Sequence, residues 1–174
     1  MNKRYTIGLR LKNIDQLFLD TASPFYGKRM LTPETEEFII EEAKAIPYNT
    51  VLEIKLHIPD AAGREDEITN AIHRHFFYCK AKSKGRLKQA LHLGWRSLLV
   101  AIISLGLLVA LILTVLPRLP EGGLSITIRE VLIILGWVAL WRPADLLLYE
   151  WRPFKREMNL FERLAQSKVI ISVL

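Results

Sequence analysis

Leu98 to Leu116 reads LLVAIISLGLLVALILTVL, nineteen residues without a charge. As a helix rising 1.5 Å per residue it is about 28 Å long, close to the roughly 30 Å hydrocarbon core of a bilayer. The core helix of a soluble protein needs an apolar face, not an apolar circumference. The run therefore predicts a transmembrane helix, and the rest of the chain is arranged around it. A polar segment precedes it, a short turn and a second apolar stretch follow, and a polar tail ends the chain.

The expected architecture is an α+β membrane protein with three parts. Residues 1–90 form a small two-layer α/β domain on the cytoplasmic side. Residues 91–151 form a transmembrane helical hairpin with spans at about 97–116 and 126–149. Residues 152–174 form a cytoplasmic tail. The chain of 174 residues leaves room for one small domain outside the hairpin. Its single cysteine, Cys79, excludes an internal disulfide and fits a reducing compartment. The stretch MNKRYTIGLRL carries basic residues but no continuous apolar segment, so the first span is expected to direct insertion.

Tyr5, Ile7, Leu9 and Leu11 alternate with polar residues and glycine, the period of a half-buried strand. Residues 13–31 have loop composition with apolar anchors at Leu17, Phe18 and Phe25. Thr32-Pro33-Glu34 marks a helix start with a hydroxyl cap, and Pro47 marks its end. Phe38, Ile39, Ala43 and Ile46 are its expected apolar face. Leu52, Ile54, Leu56 and Ile58 alternate again, giving a second strand ended by Pro59-Asp60. After Gly63, Ile68, Ala71, Ile72, His75, Phe76 and Cys79 make the stripe of an amphipathic helix. Strands pairing in parallel with both helices on one sheet face would leave the other, charged face to water or a partner.

From Ile68 to Pro120 there is no acidic residue. Lys80, Lys82, Lys84, Arg86 and Lys88 lead toward the first span, and Arg152, Lys155 and Arg156 follow the second. Both ends of the chain are thus expected in the cytoplasm, by the positive-inside rule. These eight residues are candidate contacts for anionic lipid head groups. The net charge of +6 is accounted for by this placement, so no nucleic-acid partner is expected. Membrane lipids, further copies of the chain or another membrane protein are the expected partners. Trp95, Trp137, Trp141, Tyr149 and Trp151 are candidate interfacial anchors.

The second apolar stretch is interrupted. Only eleven residues separate Arg129-Glu130 from Arg142, too few to cross a bilayer as a helix. Either the first pair or Arg142 with Asp145 must enter the apolar slab. Arg142 and Asp145 are three apart, opposite in sign and on one helix face. They either reach the cytoplasmic head groups together or line a polar path between subunits. Pro143 predicts a kink. In the tail, Met158, Phe161, Leu164 and Ala165 have the spacing of a short amphipathic helix expected to lie along the membrane surface, and Val169 to Leu174 can return to the sheet as a third strand.

His75 and Cys79, four apart, have a spacing that can hold a metal, but no further ligand is visible and core packing is the expected role. No HExxH, CxxC, Gly-rich phosphate loop or GxSxG occurs. No enzymatic activity, cofactor or resident metal is expected. The expected function is a membrane-anchored interaction or accessory module. The alternative is a homo-oligomeric channel or transport element using Arg142 and Asp145.

Ser23-Pro24-Phe25, the acidic helix after it, His57-Ile58-Pro59, and above all Gly136-Trp137-Val138-Ala139-Leu140-Trp141-Arg142-Pro143 with Leu148-Tyr149-Glu150-Trp151 resemble a family of uncharacterised bacterial two-span membrane proteins. The resemblance implies a location in the bacterial inner membrane. It carries over no catalytic residue.

Overall fold

The computed structural model describes residues 4–19, 30–48, 50–118 and 122–172. Ser23-Pro24-Phe25 lies outside them. The elements are β1 (Arg4–Arg10), α1 (Pro33–Lys44), β2 (Val51–His57), α2 (Glu65–Thr114), α3 (Gly123–Asp145), α4 (Arg152–Ala165) and β3 (Lys168–Ser172). They divide into two compact units, Met1–Lys84 with Arg156–Leu174, and Gly85–Lys155.

The first unit is built on a three-stranded parallel sheet in the order β1-β2-β3. Ile7 stands opposite Ile54 and Leu9 opposite Leu56, while Val169 pairs with Ile54 and Ile171 with Leu56. Successive side chains alternate across a strand, so this register collects every large apolar strand residue except Val51 and Ile170 on one face, with Tyr5 at its exposed margin. There they meet Ile39 and Ala43 of α1, Ile68, Ile72 and Phe76 of α2, and Leu160, Phe161 and Leu164 of α4, whose apolar face is thus spent on this core and not laid on a membrane surface. The C-terminal strand joins the sheet beside β2, as its β-branched composition suggested.

Long-range polar contacts fasten the same unit. His73 Nε2 lies 2.8 Å from the Ser167 carbonyl oxygen, and Lys80 Nζ lies 2.9 Å from Glu162 Oε1. Arg163 donates to the carbonyls of Pro47 and Thr50 at 3.0 and 3.1 Å. The opposite sheet face carries Arg4, Thr6, Gly8, Arg10, Glu53, Lys55, His57, Lys168 and Ser172, and among the described residues no helix of the core packs on it.

Two local expectations change. The buried face of α1 is Thr35, Ile39 and Ala43, spaced by four, whereas Phe38 is exposed. The face is centred on Ile39, and Phe38, one residue or about 100° round from it, is turned outward. The Thr32 and Thr35 hydroxyls stand 2.9 Å apart and converge on the Gln16 carbonyl oxygen at 2.9 and 3.3 Å. Thr32 therefore makes no cap bond to the helix. Its hydroxyl satisfies a buried hydroxyl and a carbonyl of the preceding turn instead.

The amphipathic helix does not end before the apolar run. α2 is one helix of 50 residues from Glu65 to Thr114, because Lys80 to Lys88 holds strong helix formers and Gly85 alone costs only about 1 kcal/mol.

In the second unit α2 and α3 pack antiparallel. A Cβ placed on Gly94 would lie 2.6 Å from Leu147 Cδ2, and one on Gly136 would lie 3.1 Å from Leu105 Cδ1. The two absent side chains let the helices approach closely. α3 continues through Pro143, and the ladder then widens into a π turn over Leu146–Glu150. A proline removes one helical hydrogen bond, here the one to the Ala139 carbonyl, and the helix nevertheless runs on through it. Two helical runs, Glu65–Thr114 and Ser125–Ala165, are long and apolar enough to cross a membrane.

Candidate functional site

The first unit brings Glu36 of α1 against His75 and Cys79 of α2. His75 Nε2 is 3.3 Å from Glu36 Oε2, Cys79 Sγ is 3.7 Å from Glu36 Oε1, and Cys79 Sγ is 3.6 Å from His75 Nε2. Among the described residues this is the one group of three His, Cys, Asp or Glu side chains with all ligand atoms within 4.8 Å of one another. The two α2 residues project together because four residues are roughly one turn. Glu36 follows buried Thr35, which sets its direction toward α2. The His75 side chain is 1% exposed and that of Glu36 31%, so the cluster opens toward solvent on the glutamate side.

The Leu31 backbone N–H donates to His75 Nδ1 at 3.4 Å. Nδ1 is therefore the acceptor, and the proton sits on Nε2, where it faces the Glu36 carboxylate. Phe76 covers the imidazole edge-on, with ring centroids 5.4 Å apart. Burial holds the imidazole below its ordinary value of 6.5, against the attraction and hydrogen bond of Glu36. Burial pushes the Cys79 thiol up to about 12, with Glu36 and Glu157 acting in the same direction and Lys82 opposing. The resting cluster is thus a carboxylate accepting from a neutral imidazole and a neutral thiol.

A pH dependence follows. In the unfolded chain His75 takes up its proton near pH 6.5; in the fold it does so only at lower pH. His75 therefore withholds no stability above about pH 6.5, and the first unit weakens as pH falls below that value. Urea midpoints of this unit should drop between about pH 7.5 and about pH 5.5. The His75→Gln variant should show a flatter trend over the same range, and equal slopes would contradict the assignment.

The residues singled out from sequence fall into distinct settings. Arg142 and Asp145 do pair, at 3.5 Å, but Arg142 makes a shorter contact of 2.6 Å to Glu150. Eight positions is the wrong phase in an unbroken α-helix, about 80° round. A π turn takes one residue more than an α turn. Glu150 therefore stands where the seventh residue would, on Arg142's own face. The partner was hidden from sequence because the π turn is not readable there.

Trp95, Trp137, Trp141 and Tyr149 are exposed, and Trp151 is partly covered, its Nε1 donating to the Leu147 carbonyl at 2.7 Å. Gly136 on Leu105 places Trp137 level with Ser104, about 9 Å inside the nearer end of the 98–116 run. Trp141 lies about 6 Å further along. Arg152 sits over the Tyr149 ring at 5.4 Å and Lys155 over the Trp151 ring at 5.4 Å. Lys82, Lys84, Arg86, Lys88 and Arg156 are exposed. Lys80 differs from them: it is partly buried and ion-paired to Glu162 within the first unit.

No family model, no curated protein and no solved structure matches the chain.

Proposed function

We propose that the chain is a membrane-anchored module, carrying its small α/β unit on the cytoplasmic face of a bacterial inner membrane through the α2–α3 hairpin. The observation that carries this reading is the exposure of the apolar helices. Only 6% of the most apolar stretch of α2 is buried, and 17% of that in Ser125–Ala165. A core helix of a soluble protein would be mostly covered, and an exposed apolar surface this long calls for lipid.

The packing of the hairpin supports a position for each charge. Leu147 stands at Gly94 and Leu105 at Gly136, so Arg142 falls level with Leu99, at the edge of the apolar run. Asp145 and Glu150 lie beyond that edge, on the side of the basic residues that precede the run. Arg129, which shares a groove with Ile112 and Pro117, falls about one turn inside the other edge. With a single apolar slab set by residues 98–116, the second span is residues 125–143 rather than 126–149. It is Arg129 and Glu130 that dip into it. Arg142 is then a boundary residue neutralised by two carboxylates, which favours anchoring over a polar path. The uncovered sheet face, with Arg4, Arg10, Lys55 and Lys168 against Glu53, is the surface offered to a partner.

Leu107→Arg tests the anchor. Leu107 is the tenth residue of the run and 68% exposed. On a water-facing surface the change would be within about 0.5 kcal/mol of neutral. In lipid it costs about 2.5–3.5 kcal/mol of insertion. Wild type should stay in the membrane pellet after alkaline carbonate and need detergent for release, and the variant should shift toward the supernatant. A wild-type chain that stays in solution without detergent, or a reporter on either end found outside the cell, would refute the proposal.

A further inference from the structure

The geometry points to a binding site for one borderline divalent cation of the zinc type, held by Glu36, His75 and Cys79. The edge lengths of the cluster carry the inference. With Zn–S near 2.3 Å and Zn–N and Zn–O near 2.0–2.2 Å, the edges of a tetrahedron are about 3.6 Å for S–N, about 3.3 Å for N–O and about 3.6 Å for S–O. The corresponding separations here are 3.6, 3.3 and 3.7 Å. The two oxygen edges use the two oxygens of one carboxylate, so Glu36 can close on the ion with either or both.

Charge and ligand type agree with the spacing. A thiolate and a carboxylate cancel a 2+ ion, leaving a neutral centre in a buried place, where net charge is costly. One sulfur, one imidazole nitrogen and one carboxylate oxygen suit zinc or cobalt and not calcium or magnesium, which take oxygen ligands. The fourth position points to the half-open glutamate side, where water can enter.

The proton balance is definite. The Cys79 Sγ–H bond breaks, its proton leaves to solvent and the sulfur binds the ion. His75 gives its Nε2 lone pair to the ion, so the ring proton moves to Nδ1. The Leu31 N–H bond to Nδ1, already long at 3.4 Å, is given up. One proton is released per ion, and the Leu31 amide loses its acceptor.

Cobalt(II) chloride, titrated into the full chain in detergent micelles, tests the site. Cys79 is the only cysteine in the chain, so a thiolate-to-cobalt charge-transfer band can come from no other residue. The expected result is such a band saturating at one ion per chain, tetrahedral d–d bands, displacement by zinc, about one proton released per ion, and faster exchange of the Leu31 amide. Glu36→Gln, which keeps an oxygen at the solvent-facing corner, should weaken affinity by about 10–100-fold. His75→Gln should do at least the same, with the thiolate band shifted. Wild-type protein at saturating cobalt without the band would overturn the site, whatever the variants do. So would a band whose affinity both variants leave unchanged, since the thiolate would then bind the ion without its two neighbours.

Discussion

Phe76→Ala should remove about 3–5 kcal/mol from the first unit, the ordinary cost of deleting a buried phenylalanine ring. Phe76 is fully buried on α2, stacked near-parallel with Phe161 of α4 at 6.4 Å and edge-on to His75 at 5.4 Å. The cavity would open where α2, α4 and the sheet meet. A domain of this size holds only about 5–15 kcal/mol in total, so much of its stability would go. All four tryptophans lie in the second unit, so their fluorescence should barely change. Amide exchange in β2 should accelerate by about a hundredfold or more. The neighbouring Phe77→Ala is the control. Phe77 is 64% exposed, with the Lys80 ammonium 5.8 Å from its ring centre, so its loss should stay within about 0.5 kcal/mol. Equal effects at the two positions would mean that the stripe on α2 is phased differently.

Leu164→Ala should cost about 2–5 kcal/mol and should register in strands far away in the chain. Leu164 is fully buried in the cluster that holds Ile54 and Leu56 of β2. It lies in the C-terminal helix, after the hairpin, yet belongs to the same compact unit as the N-terminal strands. Exchange of β1 and β2 amides should therefore rise along with that of β3. Gln166→Ala, exposed two residues on, should leave all three strands unchanged. If Leu164→Ala loosened only α4 and β3, the C-terminal segment would be an appendage and not part of the core.

Much of this arrangement is legible in the chain itself, because it depends on near neighbours. The alternation at Ile7, Leu9, Leu52, Ile54 and Leu56 states both strands and the face each buries, since the pleat has a period of two. The stripe from Ile68 to Cys79 states which side of α2 is inward. Other features depend on residues that meet only after folding. Thr35, not Phe38, belongs to the inner face of α1, where its hydroxyl meets the Gln16 carbonyl. Propensity along Lys80 to Lys88 favours helix, but only the structure shows that α2 runs unbroken from the core stripe into the apolar run.

The candidate site was half legible. His75 and Cys79 announce each other by their spacing of four on a helix. Glu36 lies on a different helix, among five acids with nothing to distinguish it, and only the packing of α1 on α2 selects it. Glu150 is the same case at the far end of α3, chosen by a turn one residue wider than the regular ladder.

What the sequence alone determined is therefore local: two apolar runs of membrane length, two alternating strands, and amphipathic stripes on α2 and α4, each encoded in the period of nearby side chains. Only the tertiary structure decided the strand order, the level at which α3 meets α2, and which carboxylates stand beside His75, Cys79 and Arg142. Those are choices among many equally favourable local partners. Burial makes the choice, because it admits only the arrangement in which the apolar faces close together and the enclosed polar groups find one another.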